Sequence, residues 1–168
     1  MFHAAMLMLS LVAGGDSQST AIDAYIAEHA SLAANLEAAL ETALAPGATR
    51  NDRASLVLFL RADLLPHAAA EEAILYPAVE RVLGTRGYAT ATLVMDHQKM
   101  TRLAADLARL TAAGDVDGFS RAAVVLGSFF AYHFDREEEF VLPTLAERLS
   151  DRELNALLAR MHPTVTME

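Results

Sequence analysis

The chain has 168 residues, and this length fits one domain with a sizeable hydrophobic core. It carries 22 Asp and Glu against 13 Lys and Arg, a formal net charge of -9, so we expect no basic surface and no nucleic-acid partner. It contains no Cys, which excludes disulfides, thiolate nucleophiles and thiolate metal sites; a metal would have to be bound by imidazole, carboxylate and water.

The first 17 residues form an apolar N-terminal segment, which we separate from a domain predicted over residues 18–168. The run Met1 to Gly15 contains no Lys or Arg and is too short to cross a bilayer, so it favours neither an export signal nor an anchor. Charged residues interrupt every later apolar run. We therefore expect a soluble, cytoplasmic protein without a membrane partner, and the sequence leaves monomer and homodimer open.

Composition and turn signals predict an all-α fold, with four long helices followed by a short C-terminal helix. The predicted helices extend from the Ser and Thr residues after Ser17 to about Ala45, from Asp52 to about Leu83, from about Tyr88 to Ala113, from Asp115 or Asp117 to about Leu149, and from Ser150 to about Met161. Pro46-Gly47, Gly84 and Gly114 end the first three. Short links between long helices predict antiparallel neighbours and thus an up-down-up-down four-helix bundle.

One histidine interrupts the apolar stripe of each long helix. His29, His67, His97 and His133 all lie among Leu, Ile, Met or Phe residues at helical spacing. Each histidine therefore falls on the helix face that should be buried.

The chain also repeats a motif of His and Glu. His67, Glu71-Glu72 and Pro77 recur 66 positions later as His133, Glu137-Glu138 and Pro143, and Glu28-His29 recurs 68 positions later as Asp96-His97. The repeating unit is one helical hairpin. Two such hairpins about a pseudo-twofold axis would bring four histidines toward one central point.

The repeated motif has the spacing of a chelating pair. His67 and Glu71 are four residues apart and share a helix face, as do His133 and Glu137. A buried carboxylate without a partner costs several kcal/mol and a buried imidazole about 1–3, so six inward polar groups favour a pair of cations. The simplest arrangement has the two glutamates bridging two metals, each of which also binds two histidines. Without sulfur, this ligand set suits iron, manganese or zinc.

Counting ligands indicates what such a centre can do. Two histidines, two carboxylate oxygens and an oxo or hydroxo bridge give each metal five donors, one short of octahedral. The open position could take up dioxygen, nitric oxide or hydrogen peroxide. Iron can exchange electrons with these molecules, whereas zinc cannot.

The whole pattern, from about residue 20 to 150, resembles the hemerythrin-like HHE cation-binding family. The resemblance implies two iron ions with an oxo or hydroxo bridge and a role in handling oxygen, iron, nitric oxide or peroxide. The ligands that it implies are His29, His67, Glu71, His97, His133 and Glu137.

Three differences limit which functions of the family we expect for this chain. Leu93 and Thr101 flank His97, where the oxygen-carrying hemerythrins have a second histidine. The fourth helix has HxxxE instead of their HxxxxD. The cysteine-bearing domain of the related iron–sulfur cluster repair proteins is absent. These differences argue against oxygen transport and against cluster repair in the manner of those proteins.

We therefore predict a non-haem di-iron protein that binds or reacts with dioxygen, nitric oxide or peroxide, in sensing, storage or detoxification. The alternatives are an iron-binding or ferroxidase protein and a zinc-loaded structural scaffold. The sequence does not decide between reversible binding and catalysis, because both need the same ligands.

Several neighbouring residues have structural interpretations. Glu72 and Glu138 point about 100° away from the ligands and are expected to be solvated or to form ion pairs between helices. Tyr25, Tyr76 and Tyr132 are expected to pack in the core. Prolines within the predicted helices are expected to kink them. His3 and His162 are expected at the surface.

Overall fold

The computed structural model describes residues 20–161, and this part of the chain consists of five helices and short links, with no strand among the described residues. The predicted all-α class is confirmed. The five helices are α1 (Thr20–Leu44), α2 (residues 50–83), α3 (Ala91–Ala113), α4 (residues 116–148) and α5 (Asp151–Leu158). The predicted apolar segment 1–17, His3 and His162 lie outside the described residues.

A capping box fixes the start of α2. The Thr49 hydroxyl accepts a hydrogen bond from the Asp52 backbone N–H, and the Asp52 carboxylate accepts one from the Thr49 N–H at 2.7 Å. The prediction of Asp52 as the cap was therefore wrong: Asp52 is the third residue of a helix that begins at Arg50, and Thr49 is its N-cap.

The start of α3 also differs from the prediction. Tyr88 lies in the link and is 87% exposed, and the helix begins at Ala91. The Glu80 carboxylate accepts hydrogen bonds from the Thr90 N–H and hydroxyl at 2.6 and 2.7 Å. A side chain of α2 thus fixes the N-cap residue of α3, which no local signal in the link could indicate.

The other helix termini follow the sequence signals. Asp115, the first of the two predicted caps of α4, accepts a hydrogen bond from the Gly118 N–H at 2.9 Å. The capping box at the start of α5 is present, and that helix ends at Leu158, three residues earlier than expected. Gly84 and Gly114 end α2 and α3 with φ of 69° and 71°, a conformation that a side chain disfavours.

Two of the long helices contain π-helical turns. Leu60–Leu64 and Glu71–Leu75 lie in α2 and Glu137–Val141 in α4, each ending two residues before Pro66, Pro77 or Pro143. Proline lacks an N–H, and its ring crowds the carbonyl four residues back, so a wider preceding turn relieves the crowding. The sequence predicts a kink at these prolines, and the structure has a π turn before each of them in a continuous helix.

The core is divided by a polar layer. One group of buried apolar residues includes Leu36, Leu60, Leu107 and Phe130, and a second includes Tyr25, Leu75, Leu93 and Leu145. Along α1 the chain passes from the second group to the first, and the direction reverses in each following long helix. The polar layer lies where each helix crosses between the two groups.

Helix contacts follow the chain order. α1 packs on α2, α2 on α3 and α3 most extensively on α4, which also packs on α1, while α5 packs mainly on α1.

None of the described helices combines the length and the apolar character needed to cross a membrane.

Candidate metal centre

The polar layer contains all six predicted ligands. Each is at most 8% exposed, and α1 to α4 each contribute one histidine. The residues are His29 on α1, His67 and Glu71 on α2, His97 on α3, and His133 and Glu137 on α4. The glutamates are the first residues of the two later π turns, so the local widening of the helix occurs at the predicted ligands. Metal ligation by these residues stays a prediction.

The first group of side chains consists of His29, His67 and Glu71. The Nε2 atoms of the two histidines are 3.1 Å apart. The Glu71 Oε1 atom lies 2.8 Å from Nε2 of His67 and 3.4 Å from Nε2 of His29. Three potential ligand atoms thus lie within 4.8 Å of one another, close enough to bind one ion.

The second group consists of Glu71, His97, His133 and Glu137. The Nε2 atoms of the two histidines are 2.8 Å apart. The Oε2 atom of Glu71 lies 3.3 Å from Nε2 of His97, and that of Glu137 lies 3.4 Å from Nε2 of His133. These ligand atoms also lie within 4.8 Å of one another. Glu71 therefore offers one oxygen to each group, and Glu137 reaches back to within 3.7 Å of His29.

The donor atoms suit cations better than they suit one another. Among the described residues, the buried Oε2 atoms of Glu71 and Glu137 and the Nδ1 atoms of His67 and His133 have no hydrogen-bond partner. Pairs of imidazole nitrogens that face each other need a proton or a cation between them. Buried carboxylates without partners are costly as well. The residues present therefore fit a pair of metal ions.

Each histidine also faces a second carboxylate on its outer side. The Nδ1-to-oxygen distances are 3.1 Å from His29 to Glu138, 2.9 Å from His97 to Glu72, 3.3 Å from His67 to Glu28 and 3.5 Å from His133 to Asp96. The first two are hydrogen bonds. A carboxylate at Nδ1 turns Nε2 inward and raises its basicity. Of the two roles expected for Glu72 and Glu138, solvation or pairing between helices, the structure shows pairing.

Glu28 and Asp96 belong to the repeat, but no role was predicted for these two acids from the sequence. They precede His29 and His97, yet they face the histidines of the neighbouring helices. The repeated acid–His pair is the signal that could have indicated them.

Two tyrosines donate hydrogen bonds to the central glutamates. The Tyr25 hydroxyl lies 2.5 Å from Oε1 of Glu71, and the Tyr76 hydroxyl lies 2.6 Å from Oε1 of Glu137. Both tyrosines are buried, as core packing predicts, but their hydroxyls also restrain the carboxylates. Tyr132, in contrast, is 61% exposed, so its predicted core position is wrong.

Burial and proximity separate the pKa values of the two glutamates in the metal-free protein. Burial alone would raise the pKa of Glu71, but the adjacent imidazoles of His29, His67 and His97 hold it well below its usual range. Burial, together with the negative charge of Glu71, raises the pKa of Glu137. Glu137 is therefore the more readily protonated of the two glutamates.

The pKa values of two of the histidines also differ from each other. Burial lowers the pKa of His67, but the carboxylates of Glu28 and Glu71 outweigh it and raise the pKa to about 10. Burial and the nearby His97 lower the pKa of His133 to about 3. Metal binding must therefore displace protons, because ligands bind metals in their deprotonated forms.

A buried layer of four imidazoles and two carboxylates inside a helical fold is the arrangement of helical metal-binding proteins. The comparison with protein families gives the same class: the hemerythrin HHE cation-binding domain matches residues 20–145. The chain belongs to this family, which confirms the resemblance in its motifs. No curated protein and no solved structure gave a significant match.

Proposed function

We propose that this metal-binding protein is a non-haem di-iron protein that binds or reacts with dioxygen, nitric oxide or peroxide. The observation that supports it best is the position of Glu71, whose two oxygens face two separate groups of histidines. In this proposal His29 and His67 would hold one ion, His97 and His133 would hold the other, and Glu71 and Glu137 would contribute carboxylate oxygens to the pair.

The ligand chemistry favours iron for this role. Imidazole and carboxylate without sulfur suit iron, manganese and zinc. Bound iron would supply the one-electron chemistry that these small molecules require. The outer carboxylates would hold the Nδ1 protons and orient the Nε2 atoms toward the ions.

The surrounding residues exclude water and hold protons near the centre. The Phe134 ring stacks on His29 with 4.3 Å between ring centroids. Apolar side chains cover both faces of the polar layer. The Tyr25 and Tyr76 hydroxyls hold protons beside Glu71 and Glu137. Burial and these carboxylates raise the pKa of both tyrosines, which keeps the protons on the hydroxyls.

We also propose that α1 to α4 form an up-down-up-down bundle within one domain over residues 18–168. The alternating order in which these helices cross the polar layer supports this topology.

The test is rapid mixing of the anaerobic, ferrous protein with each of the three small molecules. We expect an absorbance change with at least one of them, and the Glu71→Gln variant should lose it because both groups share this residue. A reversible adduct would support binding, and consumption of many equivalents would support catalysis. An iron-loaded protein that reacts with none of the three would overturn the proposal.

A further inference from the structure

The pseudo-twofold repeat is broken next to His67. Pro66 corresponds to Tyr132 across the 66-residue repeat. The π turn Leu60–Leu64, which precedes Pro66, has no counterpart, because residues 126–130 are regular α-helix. An additional π turn therefore precedes His67, and no such turn precedes His133.

A surface cavity of about 250 Å³ lies at this point. Its walls include Glu28, Asp63, Pro66, His67 and Met161. His67 is 8% exposed, whereas the other five residues of the centre are at most 3% exposed. Among these six residues, His67 is thus the one most accessible from outside.

The walls of this cavity attract cations. Asp63 is exposed, and the Glu28 side chain is 28% exposed. Glu28 Oε1 lies 3.3 Å from Nδ1 of His67, which makes no hydrogen bond within the described residues. Carboxylates that line a concave surface raise the local concentration of cations and repel anions. The cavity therefore joins an acidic surface to a buried nitrogen of the centre.

The corresponding side of the other half is different. Phe129 stands in the place of Asp63, and Arg136 in the place of Ala70. Arg136 forms an ion pair with Asp96 beside His133, and its guanidinium lies 5.5 Å from the Tyr132 ring centroid. A cation that approached from this side would meet a positive charge and aromatic side chains.

We infer that the cavity beside His67 is the entrance through which divalent cations load the centre, and that Asp63 and Glu28 draw them in. The inference rests on the proposed function, since it requires a centre that binds cations. The carboxylates of this entrance favour small hydrated divalent cations over anions.

The test measures the rate of Co²⁺ uptake by the metal-free full-length protein, from the visible absorbance that develops on mixing. Asp63→Asn removes one charge from the entrance, and Asp63→Lys reverses it. Asp117→Asn is the matched control, because it removes the same charge from an exposed site about 24 Å along α4 from His133. Each protein is measured at low and high salt, and its final metal content is determined.

We expect Asp63→Asn to slow uptake roughly two- to five-fold at low salt and Asp63→Lys to slow it more, with the difference shrinking at high salt. Final metal content should be the same in all four proteins. Equal uptake rates, or an equal slowing by Asp117→Asn, would overturn the entrance while leaving metal binding intact. A wild-type protein that binds no Co²⁺ would overturn both the entrance and the metal centre.

Discussion

Each inward histidine has a different environment at its two ring nitrogens. Nε2 faces the centre, while Nδ1 faces an outer carboxylate from another helix. The second glutamate of each Glu pair therefore acts on the other hairpin: Glu72 bonds to His97, and Glu138 bonds to His29. The glutamate next to a proposed glutamate ligand thus orients a proposed histidine ligand on another helix.

Replacing an outer glutamate should weaken metal binding without removing a site. We expect Glu72→Gln to lower metal affinity about 10- to 100-fold, because His97 loses the charged acceptor at Nδ1. Isothermal titration with Co²⁺ gives affinity and stoichiometry together. Glu139→Gln is the control, since Glu139 is exposed. Loss of a whole equivalent of metal in Glu72→Gln would mean that Glu72 is itself a ligand.

The tyrosine hydroxyls should matter even without metal. Tyr25→Phe removes a donor from the buried Glu71 carboxylate and should lower the free energy of unfolding of the metal-free protein by about 1.5–3 kcal/mol. Denaturant titration measures the change. Tyr132→Phe, at an exposed position, should change stability by less than about 0.5 kcal/mol. Equal effects of the two substitutions would show that the hydrogen bond adds no stability.

The sequence could predict the six candidate ligands but not the tyrosines, and the reason is symmetry. The ligands recur at intervals of 66 or 68 residues, so the pattern in each half of the chain supports the same interpretation of the other half. Tyr25 corresponds to Leu93, and Tyr76 corresponds to Leu142. A repeat gives no information about residues that occur in one half only, and their hydrogen bonds depend on the packing of different helices.

At the scale of the helices, the prolines indicated where α2 and α4 are disturbed but not how. A proline inside a helix is compatible with a kink, a break or a π turn, and the choice depends on what the neighbouring helices hold in place. Here Glu71 and Glu137 begin π turns and lie in the buried polar layer. The starts of α2 and α3 were misplaced because the Thr49 side chain caps α2, and because the Glu80 side chain holds Thr90, the N-cap residue of α3.

The link between α2 and α3 should depend on Glu80. Its carboxylate accepts hydrogen bonds from the Thr85 hydroxyl at 2.6 Å, the Gly87 N–H at 2.5 Å and both donors of Thr90. Burial alone would raise the pKa of Glu80, but these bonds outweigh it and lower the pKa to about 2. We expect Glu80→Gln to destabilise the protein by about 1–2 kcal/mol at pH 7.

The pH dependence gives this prediction a sign. A carboxylate with a depressed pKa stabilises the folded state above its unfolded value of 4.5, and this contribution is lost as pH falls through about 2. The stability difference between wild type and Glu80→Gln, measured by denaturant unfolding, should therefore be largest above pH 4.5 and vanish near pH 2. Glu147→Gln, at an exposed position, is the control. A difference that stayed constant with pH would contradict the proposed role.

At the scale of the molecule, a buried polar layer divides the core. The layer arises because four amphipathic helices each carry one histidine at the same level. Helical periodicity alone predicts that level, so the all-α class and the position of the layer follow from the sequence. The acidic cavity beside His67 does not, because it requires Met161, which follows α5, to be placed against α1 and α2.

Metal binding should therefore stabilise the whole fold. An ion present at about 100 times its dissociation constant adds about 2.7 kcal/mol for each site, provided that the unfolded chain does not bind it. We expect chelation to lower the midpoint of thermal unfolding and re-addition of metal to restore it. A midpoint that is the same with and without metal would favour a core that is stable on its own, as in a structural scaffold.

The most direct test of the central claim is the metal content of the purified protein, determined together with its ultraviolet–visible spectrum before and after reduction with dithionite. We predict two irons per chain and a charge-transfer absorption that bleaches on reduction. Stoichiometric zinc, or no stoichiometric metal, would contradict a di-iron centre and leave the four histidines and two glutamates with a structural role.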